Sequence, residues 1–185
     1  MRSRYLSRVS RQGVRPTTGK VLEALFDILD GYVDWEGAHV LDAFAGAGQL
    51  GFRALERGAD SVVFVEVESR VASGLRGEVV ARGVKERVVV LRGDAREVLR
   101  RLTGPFDVVF VDPPYSCGLA PAVLDLIGER NPLAPGGFVV VEHHHKEALP
   151  HQTGALAMVR SERYGETSLT FFRLTGPNPE WRNPA

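Results

Sequence analysis

The chain has one cysteine among its 185 residues, so a framework of disulfide bonds is excluded. It also lacks any apolar run near the ~20 residues that cross a bilayer, and any segment with the pattern of a secretory signal. Net charge is absent as well, since 23 basic residues balance 23 acidic ones. No global field therefore draws the protein toward polyanions. We expect a cytoplasmic protein that does not contact membranes.

The positive charge that is present is concentrated at the start of the chain. Residues 1–20 contain six basic residues and no acidic one. Contacts with nucleic-acid phosphates need clustered arginines rather than a high total charge, although a solvated tail has the same composition. We predict three parts: a basic N-terminal arm at 1–20, one folded domain at 21–175, and a proline-rich tail at 176–185.

The folded part alternates between helical and strand patterns. Strands are predicted near 38–42, 61–66, 87–91, 106–111 and 137–142, and two more at 155–163 and 167–174 flank a hairpin-like break. Helices are predicted from Thr17 or Thr18 to about Leu29 and at 48–57, 69–82, 94–101 and 121–128. Continuous Val, Leu and Phe runs indicate parallel strands that helices cover on both faces. We therefore predict an α/β fold with a mostly parallel seven-stranded sheet and a C-terminal antiparallel hairpin at its edge.

A glycine-rich loop follows the first predicted strand, in the run Leu-Asp-Ala-Phe-Ala-Gly-Ala-Gly at 41–48. A strand, a loop of this kind and a helix together form a nucleotide cradle. The loop glycines, with Gly51, also match the dinucleotide fingerprint, and Glu66 lies where an acid binds a ribose hydroxyl. Asp42 argues against NAD, because a carboxylate there faces a pyrophosphate unfavourably but suits a cofactor with an ammonium group. The chain is also short for a dehydrogenase. These features favour S-adenosylmethionine over NAD.

A second motif, Asp112-Pro113-Pro114-Tyr115, follows the fourth predicted strand. The two prolines restrict the backbone and donate no N–H, so nearby carbonyls are available to a ligand. Asp112 and the Pro113 carbonyl would hold a planar amine, and Tyr115 would stack on a base with a contribution of about 1–3 kcal/mol. A turn that closes a buried strand, with Tyr115 over the core, is the plainer alternative.

Acidic residues end or follow four of the predicted strands. These residues are Asp42, Glu66, Asp94 and Asp112. Ligands of open α/β sheets bind at the carboxyl ends of the strands, near the point where strand order reverses. The four acids therefore predict one shared pocket, although Asp94 is equally placed to cap the helix behind it.

Together these motifs resemble the class I S-adenosylmethionine-dependent methyltransferases. Among them the chain is most similar to the RsmD-type enzymes, which methylate guanine N2 in 16S ribosomal RNA. The resemblance covers about residues 14–174 and includes Arg-Pro-Thr-Thr at 15–18, the helix start at 21–26 and Tyr-Gly-Glu-Thr at 164–167. Residues 3–13 keep the positive charge of the family's N-terminal hairpin but lack its Gly-Arg-Lys-Leu-like stretch.

The resemblance implies a Rossmann-like fold, S-adenosylmethionine as the cofactor, and roles for individual residues. Around the cofactor it places Asp42, Gly46 and Gly48 at the methionine end, Glu66 at the ribose, and Asp94 and Ala95 at the adenine. Phe44 and Asp112 are also expected to bind the cofactor. The catalytic residues it implies are Asp112, Pro113, Pro114 and Tyr115. The RNA-binding residues we predict are Arg4, Arg8, Arg11, Arg15, Thr17 and Tyr115. The expected partner is 16S rRNA in the small subunit or in an assembly intermediate, bound by a monomer.

The sequence alone leaves other functions open. An adenine-N6 DNA methyltransferase uses the same tetrad, and a protein glutamine methyltransferase more often has Asn-Pro-Pro-Tyr. A non-catalytic RNA-binding assembly factor would keep the fold and use only the basic arm. No metal is expected, because the adjacent histidines at 143–145 point in different directions and no second cluster completes a tetrahedral site. That run predicts a polar loop after the fifth strand, with Glu142 near the base pocket.

Overall fold

A computed structural model describes residues 19–114 and 118–175 of the chain. No helix within these residues has the length and the apolar character that a membrane crossing requires. Most of the predicted basic arm, the end of the Asp-Pro-Pro-Tyr tetrad and the proline-rich tail lie outside the described residues. The division of the chain into three parts therefore stays a prediction.

Helices and strands alternate along the described chain. The helices are α1 (Gly19–Asp30), α2 (Gln49–Arg57), α3 (Ser69–Ala81), α4 (Ala95–Leu99) and α5 (Leu119–Arg130), with a 3₁₀ turn at Lys85–Arg87. The strands are β1 (His39–Asp42), β2 (Ser61–Glu66), β3 (Val88–Arg92), β4 (Phe106–Val111), β5 (Leu133–His144), β6 (Gln152–Thr153), β7 (Leu156–Tyr164) and β8 (Thr167–Leu174).

All strands belong to one mixed sheet with the order β3-β2-β1-β4-β5-β8-β7-β6. The first five strands in this order pair in parallel, and β5-β8-β7-β6 pair antiparallel. This confirms the α/β fold, the mostly parallel sheet and the C-terminal hairpin at the edge. Strand order reverses between β1 and β4, which are neighbours, so the ligand-binding switch point lies between them.

The sheet has eight strands, so the prediction of seven was wrong by one. The additional strand is β6, which has two residues and pairs with the start of β7. Its Thr153 hydroxyl donates a hydrogen bond to Asp125 of α5. The two backbones also approach so closely that a Cβ on Gly128 would lie 2.4 Å from the Thr153 carbonyl oxygen. Two residues show no alternation in sequence, so β6 depends on its contact with α5.

Alternate residues of the central strands face two separate hydrophobic clusters. Val40 and Phe110 belong to the cluster that also includes residues of α1, α2 and α3. Leu41 and Val109 belong to the cluster that includes residues of α4 and α5. The sheet is therefore covered on both faces, as predicted, and side chains two residues apart along a strand share a face.

We expect Gly51→Ala to lower the free energy of unfolding by about 1–3 kcal/mol, because the core at this position is already full. Gly51 of α2 lies so close to β2 that a Cβ would be 2.2 Å from Phe64 Cε1 and 2.8 Å from Val62 Cγ1. Urea denaturation measures the change. The control is Gly77→Ala in α3, where a Cβ meets no atom of residues 19–114 and 118–175 within 4 Å and should stabilise the helix by about 0.5–1 kcal/mol. Similar effects of both substitutions would contradict the close contact.

Candidate active site

The carboxyl ends of the five parallel strands form one edge of the sheet, here called the carboxyl edge. Each strand has an acidic residue at or just beyond this end. In spatial order they are Asp94 after β3, Glu66 of β2, Asp42 of β1, Asp112 after β4 and Glu142 of β5. The four acids predicted to share a pocket therefore lie along this edge. Glu142 is a fifth acid on the same edge.

Asp42 is the most deeply buried of these acids, with 1% of its surface exposed. Its Oδ2 accepts a hydrogen bond from the Gly51 N–H in the first turn of α2, at 3.2 Å. Its Oδ1 has no hydrogen-bond partner among the described residues. A buried carboxylate oxygen without a donor is costly, so this atom is suited to a donor that a ligand supplies.

Burial raises the pKa of Asp42 from 3.8 to about 7, and the nearby charge of Glu66 adds to the increase. Hydrogen bonds from the backbone of Gly51 and Phe44 oppose it. Near neutral pH the carboxyl is therefore close to half ionised. A cation beside it would favour the ionised form.

Ionisation of Asp42 should make stability depend on pH in a definite direction. The pKa of Asp42 is about 7 in the folded protein and 3.8 in the unfolded chain. The contribution of this carboxyl to the free energy of unfolding is therefore full below pH 3.8 and is lost as pH rises through 7. We expect the free energy of unfolding, taken relative to Asp42→Asn, to fall by on the order of 4 kcal/mol between about pH 4 and pH 8. Urea denaturation across that range measures it, and a difference that does not change with pH would contradict the buried carboxyl.

The glycine loop between β1 and α2 turns on two residues with positive φ, Gly46 at 51° and Gly48 at 81°. A Cβ on Gly48 would lie 2.7 Å from both Phe52 and Leu75, so this glycine is required for packing as well. A Cβ on Gly46 would meet no atom of the described residues within 4 Å. Gly46 therefore borders space at the carboxyl edge that no described residue fills.

Glu66 holds this loop in place. Its Oε2 accepts the N–H of Gly46 at 2.9 Å, and its Oε1 accepts the N–H of Glu68, which precedes α3, at 2.7 Å. Each carboxylate oxygen has two lone pairs, so the group can still accept donors from a ligand. Phe44 of the loop is partly buried against the cluster that α4 and α5 cover.

Asp94 caps the helix α4, which is the structural role that the sequence analysis left open for it. Its Oδ1 accepts the backbone N–H of Arg96 at 2.9 Å, and its Oδ2 accepts the Arg96 guanidinium at 2.7 Å. These bonds to Arg96 lower the pKa of Asp94. The next residue, Ala95, is buried. Contact of either residue with an adenine remains a prediction.

Asp112 follows β4 directly and lies on the same face of the sheet as Asp42. Burial raises its pKa well above the usual value, and the charges of Glu142 and then Asp42 add to the increase. Pro113 is buried and Pro114 is exposed. The carboxyl therefore lies between two other acids on a rigid turn, where it accepts protons more readily than an ordinary aspartate.

Glu142 was not among the predicted site residues, although it was itself expected near the base pocket. It is 5% exposed and lies on β5. In the parallel pairing Val111 is opposite Val141, so Asp112 and Glu142 are the next residues on adjacent strands. Side chains alternate between the two faces of a strand, so Glu142 shares the face of Val140. Asp42, Asp112 and Glu142 form what we call the acidic row.

Comparison with known proteins places the chain in a family. The family described as "Conserved hypothetical protein 95" matches residues 1–173. The chain belongs to this family. It is the RsmD family, so the resemblance stated from sequence is confirmed.

Several known proteins are similar to this chain over most of its length. The Bacillus subtilis protein YlbH is 36% identical over 179 residues, which are 95% of this chain and 96% of YlbH. The "Ribosomal RNA small subunit methyltransferase D" of Haemophilus influenzae is 36% identical over 76% of this chain and 74% of its own length. A solved Streptococcus pyogenes structure, titled a conserved hypothetical protein, has a TM-score of 0.77 and 28% identity and covers 88% of this chain and all of its own. Methyltransferases are among the structural neighbours, so the class I methyltransferase fold is confirmed.

Several predicted site residues lie outside the part of this RsmD-family chain that the structure describes. They are Arg4, Arg8, Arg11, Arg15, Thr17 and Tyr115. Their roles remain predictions. Within the described residues, no group of three or more His, Cys, Asp or Glu side chains is arranged to hold a metal ion. The buried His143 instead bonds through Nε2 to the Thr170 hydroxyl at 2.9 Å.

Proposed function

We propose that this protein transfers the methyl group of S-adenosylmethionine to the exocyclic N2 amine of a guanine in 16S ribosomal RNA. One observation carries the proposal. Asp42 ends β1 and Asp112 follows the neighbouring β4 at the switch point, both on the same face of the sheet, and Oδ1 of the buried Asp42 has no partner among the described residues. The name of the Haemophilus influenzae relative supports ribosomal RNA of the small subunit as the substrate.

The described residues fit S-adenosylmethionine. The unpaired Asp42 Oδ1 suits an ammonium donor, and the open space at Gly46 leaves room for the cofactor against the loop. We assign the methionine end to this loop, the ribose hydroxyls to Glu66, and the adenine to the segment at 94–95. When bound, S-adenosylmethionine supplies an electrophilic methyl group, whose bond to sulfur breaks with both electrons left on sulfur.

The amine that receives the methyl group is a poor nucleophile, because its lone pair is delocalised into the base. Hydrogen bonds from its two N–H groups to Asp112 and to the Pro113 carbonyl would localise that lone pair on nitrogen and fix its direction. The lone pair then forms the new N–C bond. Positioning and fixed dipoles account for the catalysis, and no covalent intermediate with the protein is needed.

The methylated nitrogen is briefly cationic and must lose one proton. Asp112 lies within hydrogen-bond reach of that nitrogen in the proposed arrangement, and its raised pKa makes its carboxylate an effective acceptor. Water is the alternative acceptor. Tyr115 would stack on a base turned out of its helix or loop, and the arginines of the arm would contact RNA phosphates.

A methyl-transfer assay tests the proposal. Tritiated S-adenosylmethionine is offered with small ribosomal subunits, free 16S RNA and duplex DNA in parallel, and labelled products are digested to nucleosides. N2-methylguanosine from either RNA substrate is the expected product. Label in N6-methyladenine of DNA would support the adenine-N6 enzyme instead, and no cofactor binding by calorimetry would support a non-catalytic assembly factor.

We expect the protein to act in the cytoplasm as a monomer.

A further inference from the structure

We propose that Glu142 accepts the N1–H of the target guanine and thereby selects guanine over adenine beside Asp112. This inference rests on the proposed function and adds to it a residue that determines which base is accepted. The Asp-Pro-Pro-Tyr tetrad holds an amine but does not distinguish the amine of guanine from that of adenine. A second group on the same face of the sheet is needed for that choice.

The strand pairing places Glu142 beside Asp112. Val111 and Val141 are opposite each other in the parallel pair of β4 and β5, where neighbouring strands are about 4.8 Å apart. The residues that follow this pair are Asp112 and Glu142. Glu142 also pairs with Leu169, which faces the cluster under α1, so its side chain shares the face of Asp42 and Asp112. Asp112 and Glu142 of the acidic row are therefore adjacent carboxyl groups at the carboxyl edge, one strand away from the switch point.

Glu142 places a carboxyl group at a buried position, where packing alone does not require an acid. The residue is 5% exposed and follows four buried apolar residues, Phe138, Val139, Val140 and Val141. Buried carboxyl groups are rare because they lose hydration, and a second carboxyl at close range adds repulsion. Both costs fall when a ligand supplies N–H donors to the pair. The acidic row is therefore suited to a ligand with two neighbouring donor groups.

Guanine has such an edge and adenine does not. The N1–H and the N2 amine of guanine are adjacent donors on one edge of the base. Adenine presents its N6 amine next to N1, which carries a lone pair and accepts hydrogen bonds. With Asp112 on the amine, Glu142 would meet a donor in guanine but a lone pair in adenine. Sites that hydrogen-bond a substrate group reject analogues without that group by large factors, on the order of 10⁴ in favourable cases.

The contact would also assist the reaction. A carboxylate that accepts the N1–H draws that proton toward itself and raises the electron density of the ring. The N2 nitrogen is conjugated with the ring, so its lone pair becomes more nucleophilic. The N1–H bond stays intact throughout. The proton that leaves after transfer is the one on N2, so the balance of the proposed reaction is unchanged.

A cycle that combines a protein change with a substrate change tests the inference. The protein pair is wild type and Glu142→Gln. The two substrates carry guanine or 2-aminopurine at the methylated position. They are prepared as free RNA or as reconstituted subunits, according to which of these accepts the methyl group. 2-Aminopurine keeps the N2 amine but has a lone pair at N1. We expect wild type to prefer guanine in kcat/KM by at least ~10²-fold, and Glu142→Gln to reduce that preference at least ~10-fold, because its amide donates to N1.

The outcomes separate this inference from the proposed function. If wild type labels no guanine in ribosomal RNA, the proposed function fails. If wild type labels guanine but Glu142→Gln lowers kcat/KM equally for both bases, Glu142 has only a structural role and the inference is overturned. Glu129→Gln on the exposed end of α5 is the matched control and should leave the preference unchanged. Calorimetry of S-adenosylmethionine should give the same Kd for all three proteins.

Discussion

Asp112→Ala should lose methyl transfer by on the order of 10²–10³-fold in kcat while it keeps its affinity for S-adenosylmethionine. The substitution removes one of the two proposed acceptors of the amine, so the lone pair is no longer localised or directed. The loop contacts of Asp42 and Glu66 are left in place. Single-turnover transfer measures the rate, and calorimetry measures the affinity. Near-normal transfer by this variant would refute the role of Asp112.

Asp112→Asn separates positioning from proton acceptance. Its amide oxygen still accepts one N–H, so its rate should lie between those of wild type and Asp112→Ala. Because the pKa of Asp112 is raised in the folded protein, its ionisation is unfavourable there and costs stability as pH rises. The Asn variant should therefore gain stability relative to wild type with increasing pH in urea denaturation. Lost activity together with gained stability is typical of a functional group and not of a structural one.

Gly46→Val should abolish detectable binding of S-adenosylmethionine, the second large effect that we expect. The side chain would extend from a loop where a Cβ meets none of the described atoms within 4 Å, so it would occupy the space assigned to the cofactor. Folding should survive, since no described atom is displaced, although a β-branched residue at a φ of 51° is strained by about 1–3 kcal/mol. Calorimetric titration measures the affinity, and retained binding would remove Gly46 from the site.

Gly83→Val is the matched control for that strain. Gly83 has a φ of 68°, and within the described part of the chain a Cβ there also meets nothing within 4 Å. It follows α3 and precedes β3, so it lies at the opposite edge of the sheet. Both variants should lose similar stability, whereas only Gly46→Val should lose the cofactor. Equal losses of affinity would show that strain alone explains the effect.

Much of the fold could be predicted because its strands are long, apolar and separated by clear turns. The bounds predicted for β4 and β8, 106–111 and 167–174, agree with the structure, and those for β2 do too. The prediction was poorer where tertiary contacts decide the ends of an element. β5 runs from Leu133 to His144 instead of 137–142, because β8 pairs with it as far as His144 and β4 pairs as far back as Leu133.

The candidate site could be predicted in part. Asp42 and Asp112 were found because each ends a recognisable apolar run next to a distinctive loop, and such motifs are local in sequence. Glu142 lies between a valine run and three histidines, which gives no local motif. Its position beside Asp112 comes from the pairing of strands that α5 separates along the chain. The raised pKa of Asp112 likewise depends on neighbours that are distant in sequence.

The order of residues along this chain by itself determined the alternation of strands and helices, the glycine loop and the presence of acids at strand ends, because each is a short-range pattern. Only the tertiary structure decided which acids meet. The reversal of strand order puts β1 next to β4, and β4 next to β5, so three carboxyl groups separated by tens of residues share one face of the sheet. Burial then raises the pKa of Asp42 and Asp112, since the free energy of a charge depends on the solvent and charges around it.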